Sequence, residues 1–340
     1  MNDIRRTDIR RIVLCGAGAV GSTYVERLFE LDPECIAVVA RGARRADILR
    51  NGVIVNGRSI RVRCLAPQGE GEGNVHGHGD APGDAPPADL VILGVKQHHL
   101  TAAIEDVRPW VGERTILVSL LNGISSEAML AAAFGADKVL HAFMVGNDGL
   151  REGNATRYSN FGRLVFGAAS GDVHDPRVTE VSALLERARI PHEVRADIVR
   201  ALWWKFMLNV GVNQVSAVLR APYRAFAEVV EVQTLTRRAS LEAVAVARCE
   251  GVNLTNDDVD SLFPILASLD PNGKTSMLQD VEAGRKTEVE IFAGTVIELG
   301  QRHGVPTPVN ELLQTMIAAL ERLAGVYGRG ALATSGPRAP

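Results

Sequence analysis

The chain has 340 residues, 46% of them hydrophobic and 23% charged, with a formal net charge of −3. That length accommodates two domains with separate cores, and the near-neutral balance gives no electrostatic reason to expect nucleic acid or an anionic membrane as partner. Cys15, Cys35, Cys64 and Cys249 show no paired spacing, no apolar run approaches a membrane span, and the charged first residues lead straight into a strand; a cytoplasmic protein without signal peptide or metal is expected.

In chain order, Arg11–Cys15 reads as a buried strand and Ser22–Phe29 as a helix. Between them lies Gly16-Ala17-Gly18-Ala19-Val20-Gly21, the spacing of a dinucleotide-binding turn. Gly16 permits the tight turn, Gly18 lets backbone amides approach a pyrophosphate, and Gly21 lets helix and strand pack closely. The free N–H groups of the helix start then face the diphosphate. The next strand, Ile36–Ala40, ends in Arg41-Gly42-Ala43-Arg44-Arg45 with no carboxylate. An arginine there pairs with a ribose 2′-phosphate, so the expected cofactor is NADP(H).

Gly52–Gly57 and Ile60–Cys64 read as a hairpin around Asn56-Gly57. Pro67–Ala88 is rich in Gly, Pro, Asp and His and is expected to be a mobile insertion, with His76 and His78 incidental. Leu90–Val95, Thr115–Leu121 and Val139–Val145 follow as further strands. The alternation with helices predicts a doubly wound parallel sheet, placing ligands beyond the strand carboxyl ends, where Lys96 and Asn122-Gly123 stand.

Helices are predicted over 197–219, 229–250, 256–267, 276–284, 287–303 and 308–327. The expected organisation is an α/β Rossmann-type domain over 1–194, an all-helical domain over 195–328, and a tail over 329–340. Within Ala201–Val215 nearly every position is apolar except Lys205, Asn209 and Asn213. Their spacing makes one stripe on a helix otherwise hydrophobic all round. Burying that stripe without partners is costly, so it faces polar groups or a ligand cleft. Ser276 reads as a helix N-cap, Thr287 with Glu290 as a capping box, and Glu288 is left without an obvious structural task.

These motifs, in this order from Arg11 to about Ala324, resemble the ketopantoate reductase family. The resemblance implies a Rossmann domain and a helical domain with the active site between them. It implies NADPH-dependent reduction of 2-dehydropantoate to (R)-pantoate, with Lys205 as general acid. Glu288 would fix the substrate hydroxyl and the nicotinamide side, while Asn209, Asn213 and Ser276 hold the substrate. Lys96 and Asn122 would bracket cofactor and substrate, and Arg41 would face the 2′-phosphate. A small 2-keto acid is the implied partner, and a homodimer is compatible with the reading. Gln214, where many relatives have Pro, Pro222-Tyr223-Arg224, and His141–Gly149 depart from the family pattern near the expected substrate pocket. They leave open a related D-2-hydroxyacid dehydrogenase for another branched or aromatic 2-keto acid. A non-catalytic NADPH-binding sensor would not need Lys205 together with Glu288.

Overall fold

The computed structural model describes residues 8–67 and 86–327. His76, His78, most of the expected insertion and the tail lie outside the described residues. The chain divides into two compact units, Met1–Val199 and Arg200–Pro340.

The first unit is built on β1 (Ile12–Cys15), β2 (Ile36–Val39), β3 (Val53–Val55), β4 (Arg58–Ile60), β5 (Arg63–Leu65), β6 (Leu90–Leu93), β7 (Ile116–Ser119), β8 (Val139–Val145), β9 (Leu150–Glu152), β10 (Ala155–Arg157), β11 (Arg163–Gly167) and β12 (His192–Val194). Its helices are α1 (Ala19–Leu31), α2 (Gly42–Asn51), α3 (Leu100–Val107), α4 (Ser126–Phe134) and α5 (Pro176–Arg187). The main sheet has the order β5-β2-β1-β6-β7-β8-β11-β12. Its strands run parallel from β5 to β8; β11 then joins β8 antiparallel, and β12 lies parallel to β11. β1, β2, β6 and β7 are buried at every residue, as unbroken apolar runs covered on both faces must be. β1 is flanked by β2 on one side and β6 on the other, so the winding direction reverses there. The register sets Cys15 beside Leu93 and Leu93 beside Ser119, which brings the glycine turn, Gly94 and Leu120 to one edge. That edge is the usual ligand crevice of an open α/β sheet.

The expected hairpin is present but shorter than anticipated. Val53–Val55 pairs antiparallel with Arg58–Ile60 across Asn56 and Gly57, whose φ values of 48° and 81° are those of a two-residue turn. The chain then leaves this pair, and Arg63–Leu65 pairs with β2 in the main sheet. β3 and β4 instead belong to a second sheet, β4-β3-β10-β9. That sheet rests on α1: the Tyr158 hydroxyl, next to β10, donates to Glu26 at 2.5 Å.

The second unit is helical: α6 (Ile198–Leu219, starting just before the unit boundary), α7 (Ala225–Glu228), α8 (Val230–Cys249), α9 (Asn256–Asp260), α10 (Leu262–Ala267), α11 (Ser276–Glu282), α12 (Thr295–His303) and α13 (Pro308–Tyr327). The single helix expected over 256–267 is broken at Ser261, whose hydroxyl donates to the Asp258 carbonyl at 2.6 Å. Pro264 lies just beyond and has no amide to continue the ladder. The helix expected over 287–303 opens instead with a π-helical turn at Glu290–Gly294. α6 is fixed on two sides. A Cβ at Gly211 would stand 2.1 Å from the Ser240 hydroxyl of α8, so only glycine allows that approach. Gln214 donates to the Asn310 side chain of α13 at 3.0 Å.

Candidate functional site

Three glycines of the turn are held by different constraints. Gly16 has φ +103°, and its Cβ would lie 2.5 Å from the Gly94 backbone. A Cβ on Gly21 would lie 2.1 Å from the Gly16 carbonyl oxygen. Both glycines are required by the fold itself. Gly18 is different, because its Cβ would meet nothing nearer than the Gly94 oxygen at 3.7 Å. No atom of the chain within 3.7 Å requires a glycine at Gly18, and the space beside it is open. Gly18 is also the N-cap of α1, which has neither a side-chain cap nor an acidic residue in its first turn. Ala17, Ala19 and Val20 complete the turn. Uncapped amides beside a space that a Cβ would fill suit a pyrophosphate.

Lys96 lies three residues beyond the end of β6 and precedes a 3₁₀ turn at Gln97–His99; Asn122 lies three residues beyond the end of β7, with Gly123 at φ +94°. Both are half-buried. Gln97 ties the two loops together by donating to Ser125 at 3.1 Å. Glu127, one turn further, is buried, and desolvation pushes its carboxyl up to about 7 against a 2.9 Å hydrogen bond from the Ser126 hydroxyl.

Arg41 stands at the end of β2 but not as a free cation. Its Nε donates to Asp106 of α3 at 3.0 Å, and the two groups form an ion pair. The Asp106 side chain is only 8% exposed, against 53% for Arg41. Sequence reasoning missed this carboxylate, 65 positions away. It also passed over Arg44 and Arg151, which both donate to the Ala17 carbonyl at 2.9 Å.

In the second unit, Lys205, Asn209 and Asn213 lie along one side of α6, roughly opposite Gly211 and the α8 contact. Asn209 is 4% exposed and Asn213 is 7% exposed, and neither side chain has a hydrogen-bond partner among the described residues. The Lys205 side chain keeps some surface exposure, yet its ammonium is deep enough that desolvation lowers its pKa to about 8. No carboxylate among the described residues pairs with it, which is why the desolvation is uncompensated. The helix around the stripe is dry: Trp203, Phe206, Met207, Val210 and Val212 are buried, with Trp203 and Phe206 edge to face at 5.7 Å.

Two capping expectations need correction. The N-cap of α11 is Thr275, whose hydroxyl accepts from Leu278 N at 3.2 Å; Ser276 is the first helical residue and exposed. Thr287 and Glu290 form no capping box. The Thr287 amide and hydroxyl both donate to Glu321 of α13, at 2.7 and 2.6 Å, and Glu290 accepts from Gln314 at 3.1 Å. Glu288, between them, is half-buried. Gln214 is wholly buried and packs against α13 through Asn310. Tyr223 lies against Gly273, where an added Cβ would meet its ring at 2.9 Å, and its amide donates to the Gly273 carbonyl at 3.0 Å. It therefore sits at the segment that leads into Thr275 and Ser276.

Two family models match the chain. One is described as ketopantoate reductase PanE/ApbA, over residues 12–171, and the other as ketopantoate reductase PanE/ApbA C terminal, over residues 197–321. The chain belongs to the ketopantoate reductase family. A 2-dehydropantoate 2-reductase from Halobacterium salinarum is 27% identical over 314 residues, covering 92% of this chain and 99% of its own. A solved ketopantoate reductase from Ralstonia eutropha JMP134 aligns with a TM-score of 0.74 at 25% identity, over 92% of this chain and 98% of that one. A D-mandelate dehydrogenase solved with NADH and anilino(oxo)acetate reaches a TM-score of 0.79 over 93% of this chain and 99% of that one; at 20% identity this likeness concerns the fold. The chain is thus an oxidoreductase of the ketopantoate reductase kind, with a Rossmann-like first unit and a helical second one. Among the described residues no helix is long and apolar enough to cross a membrane, and no group of three or more His, Cys, Asp or Glu could hold a metal ion.

Proposed function

We propose that this protein reduces 2-dehydropantoate to (R)-pantoate with NADPH as electron donor. The observation that carries this reading is the Lys205 ammonium, desolvated, unpaired among the described residues and lowered to about 8. A cation held this way in a dry helix has no structural benefit; near a ketone oxygen it stabilises the charge that grows there and delivers a proton. Its lowered pKa keeps it protonated at neutral pH while easing the transfer.

Reduced nicotinamide, when bound, supplies a hydride to the ketone carbon. The glycine turn, through the amides after Gly18, would hold its pyrophosphate, and Lys96 and Asn122 would flank it at the sheet edge. Asn209 and Asn213 each carry amide groups without partners among the described residues, which suits the hydroxyl and carboxylate of a polar keto acid. The exposed Ser276 hydroxyl at the start of α11 would meet the substrate carboxylate, and Glu288 would fix its hydroxyl. A homodimer in the cytoplasm is the expected setting; one structural neighbour, from Staphylococcus aureus, is described as dimeric.

Steady-state NADPH oxidation with 2-dehydropantoate, phenylpyruvate and 2-ketoisocaproate tests the assignment. A kcat/KM for 2-dehydropantoate well above the other two supports it. A clear preference for phenylpyruvate or 2-ketoisocaproate instead makes the protein a D-2-hydroxyacid dehydrogenase, as the D-mandelate dehydrogenase neighbour would suggest.

A further inference from the structure

Arg44 and Arg151 converge on one acceptor. Arg44 Nη2 and Arg151 Nη1 both donate to the Ala17 carbonyl at 2.9 Å, from α2 on one side and β9 on the other. Two guanidiniums sharing one neutral oxygen repel each other. Burial lowers the proton affinity of both, and for Arg151 the charge on Arg44 adds to the effect. The nearest compensation is Asp47, which takes Arg44 Nη1 at 2.9 Å. Arg151 has no ion pair among the described residues, and its Nε is occupied by the Gly153 carbonyl at 3.1 Å. Arg44 Nε and Arg151 Nη2 are left as donors without partners among the described residues. The Nε of neighbouring Arg45 is buried without a partner as well. Arg41, by contrast, already has its charge balanced by buried Asp106.

The group sits beside the glycine turn and past the end of β2, where an adenosine ribose lies in a dinucleotide fold. An excess of cationic donors there matches a phosphomonoester dianion, which takes several charge-assisted hydrogen bonds at once. We infer that Arg44 and Arg151, rather than Arg41, are the main anchor of the NADPH 2′-phosphate. The inference rests on the NADPH reading above.

Binding of adenosine 2′,5′-bisphosphate and of ADP to the full chain, followed by calorimetry, separates the two claims. Wild type binding the 2′,5′-bisphosphate at least about tenfold more tightly than 2′-unphosphorylated ADP supports the NADPH reading, and equal binding overturns it. Given that preference, Arg44→Gln and Arg151→Gln each weaken the 2′,5′-bisphosphate about tenfold and ADP less than about threefold, whereas Arg41→Gln has the smaller effect. Arg151→Lys keeps the charge and retains part of the preference. If both ligands weaken equally in Arg44→Gln and Arg151→Gln, the arginines only shape the turn and the inference fails. It also fails if Arg41→Gln removes the preference and the other two do not. Thermal melts of each variant show whether a loss follows from unfolding, and Arg151→Lys still decides the matter where Arg151→Gln does not fold.

Discussion

The glycine turn and the α6 stripe solve opposite problems. At the turn the backbone is committed: Gly16 and Gly21 are fixed by contacts of 2.5 and 2.1 Å that any Cβ would make with the chain itself, and Arg41 is held by Asp106. Along α6 the backbone is ordinary helix, and the side chains are what is unusual. Lys205, Asn209 and Asn213 have no partners among the described residues, although their surroundings are dry. On the proposed function, shape is fixed where the dinucleotide would be gripped the same way each time, and polar groups are kept unsatisfied where charge would be stabilised only as it develops.

Substitutions at the two regions should therefore fail differently. Lys205→Ala is expected to lower kcat on the order of 10²–10⁴-fold while NADPH affinity changes little; equal loss of both in single-turnover and binding measurements would make Lys205 structural. Gly21→Ala should destabilise the fold by about 3 kcal/mol or more, read from denaturant midpoints, because the clash is with backbone. Lys205→Met should do the reverse and stabilise by on the order of 1–3 kcal/mol at pH 7. The sign follows from the lowered pKa. The folded state holds that proton less tightly than the unfolded chain, so the ammonium costs stability below about 8, and the cost disappears as the pH approaches the unfolded value of 10.5. The advantage of Lys205→Met should fade over that interval. Gly18→Ala has room in the protein and should leave the melting temperature nearly unchanged while weakening NADPH about tenfold, as titration would show. Asp106→Asn should have the smallest effect, tightening adenosine 2′,5′-bisphosphate by about threefold as Arg41 is released.

Features encoded within a few residues were legible in the sequence. The glycine turn declares itself by spacing between a strand and a helix, and the α6 stripe by its period of four. What depends on distant residues was not. Arg41 looked free because Asp106 is 65 positions away, and Arg151 reaches Ala17 across 134. Arg44 did carry a local signal, as the second arginine after β2. Thr287 looked like a cap because Glu321, 34 positions on, was not yet in view. Adjacent hydroxyls at Thr275 and Ser276 made the N-cap ambiguous by one residue. The apolar alternation ran through Arg61-Val62 without a turn residue, so the departure of β5 into the main sheet was invisible. β11, β12 and α5 were not anticipated individually, since 151–194 has no strong motif.

The claim on which the mechanism depends is that the Lys205 ammonium donates the proton. The pH dependence of kcat at saturating NADPH and substrate tests it most directly. Proton donation by Lys205 gives a rate that is flat near neutrality and falls as the pH rises through about 8, with no such limb in the residual activity of Lys205→Ala. A wild-type rate that holds level to pH 10, or a limb near 8 that survives in Lys205→Ala, would contradict it.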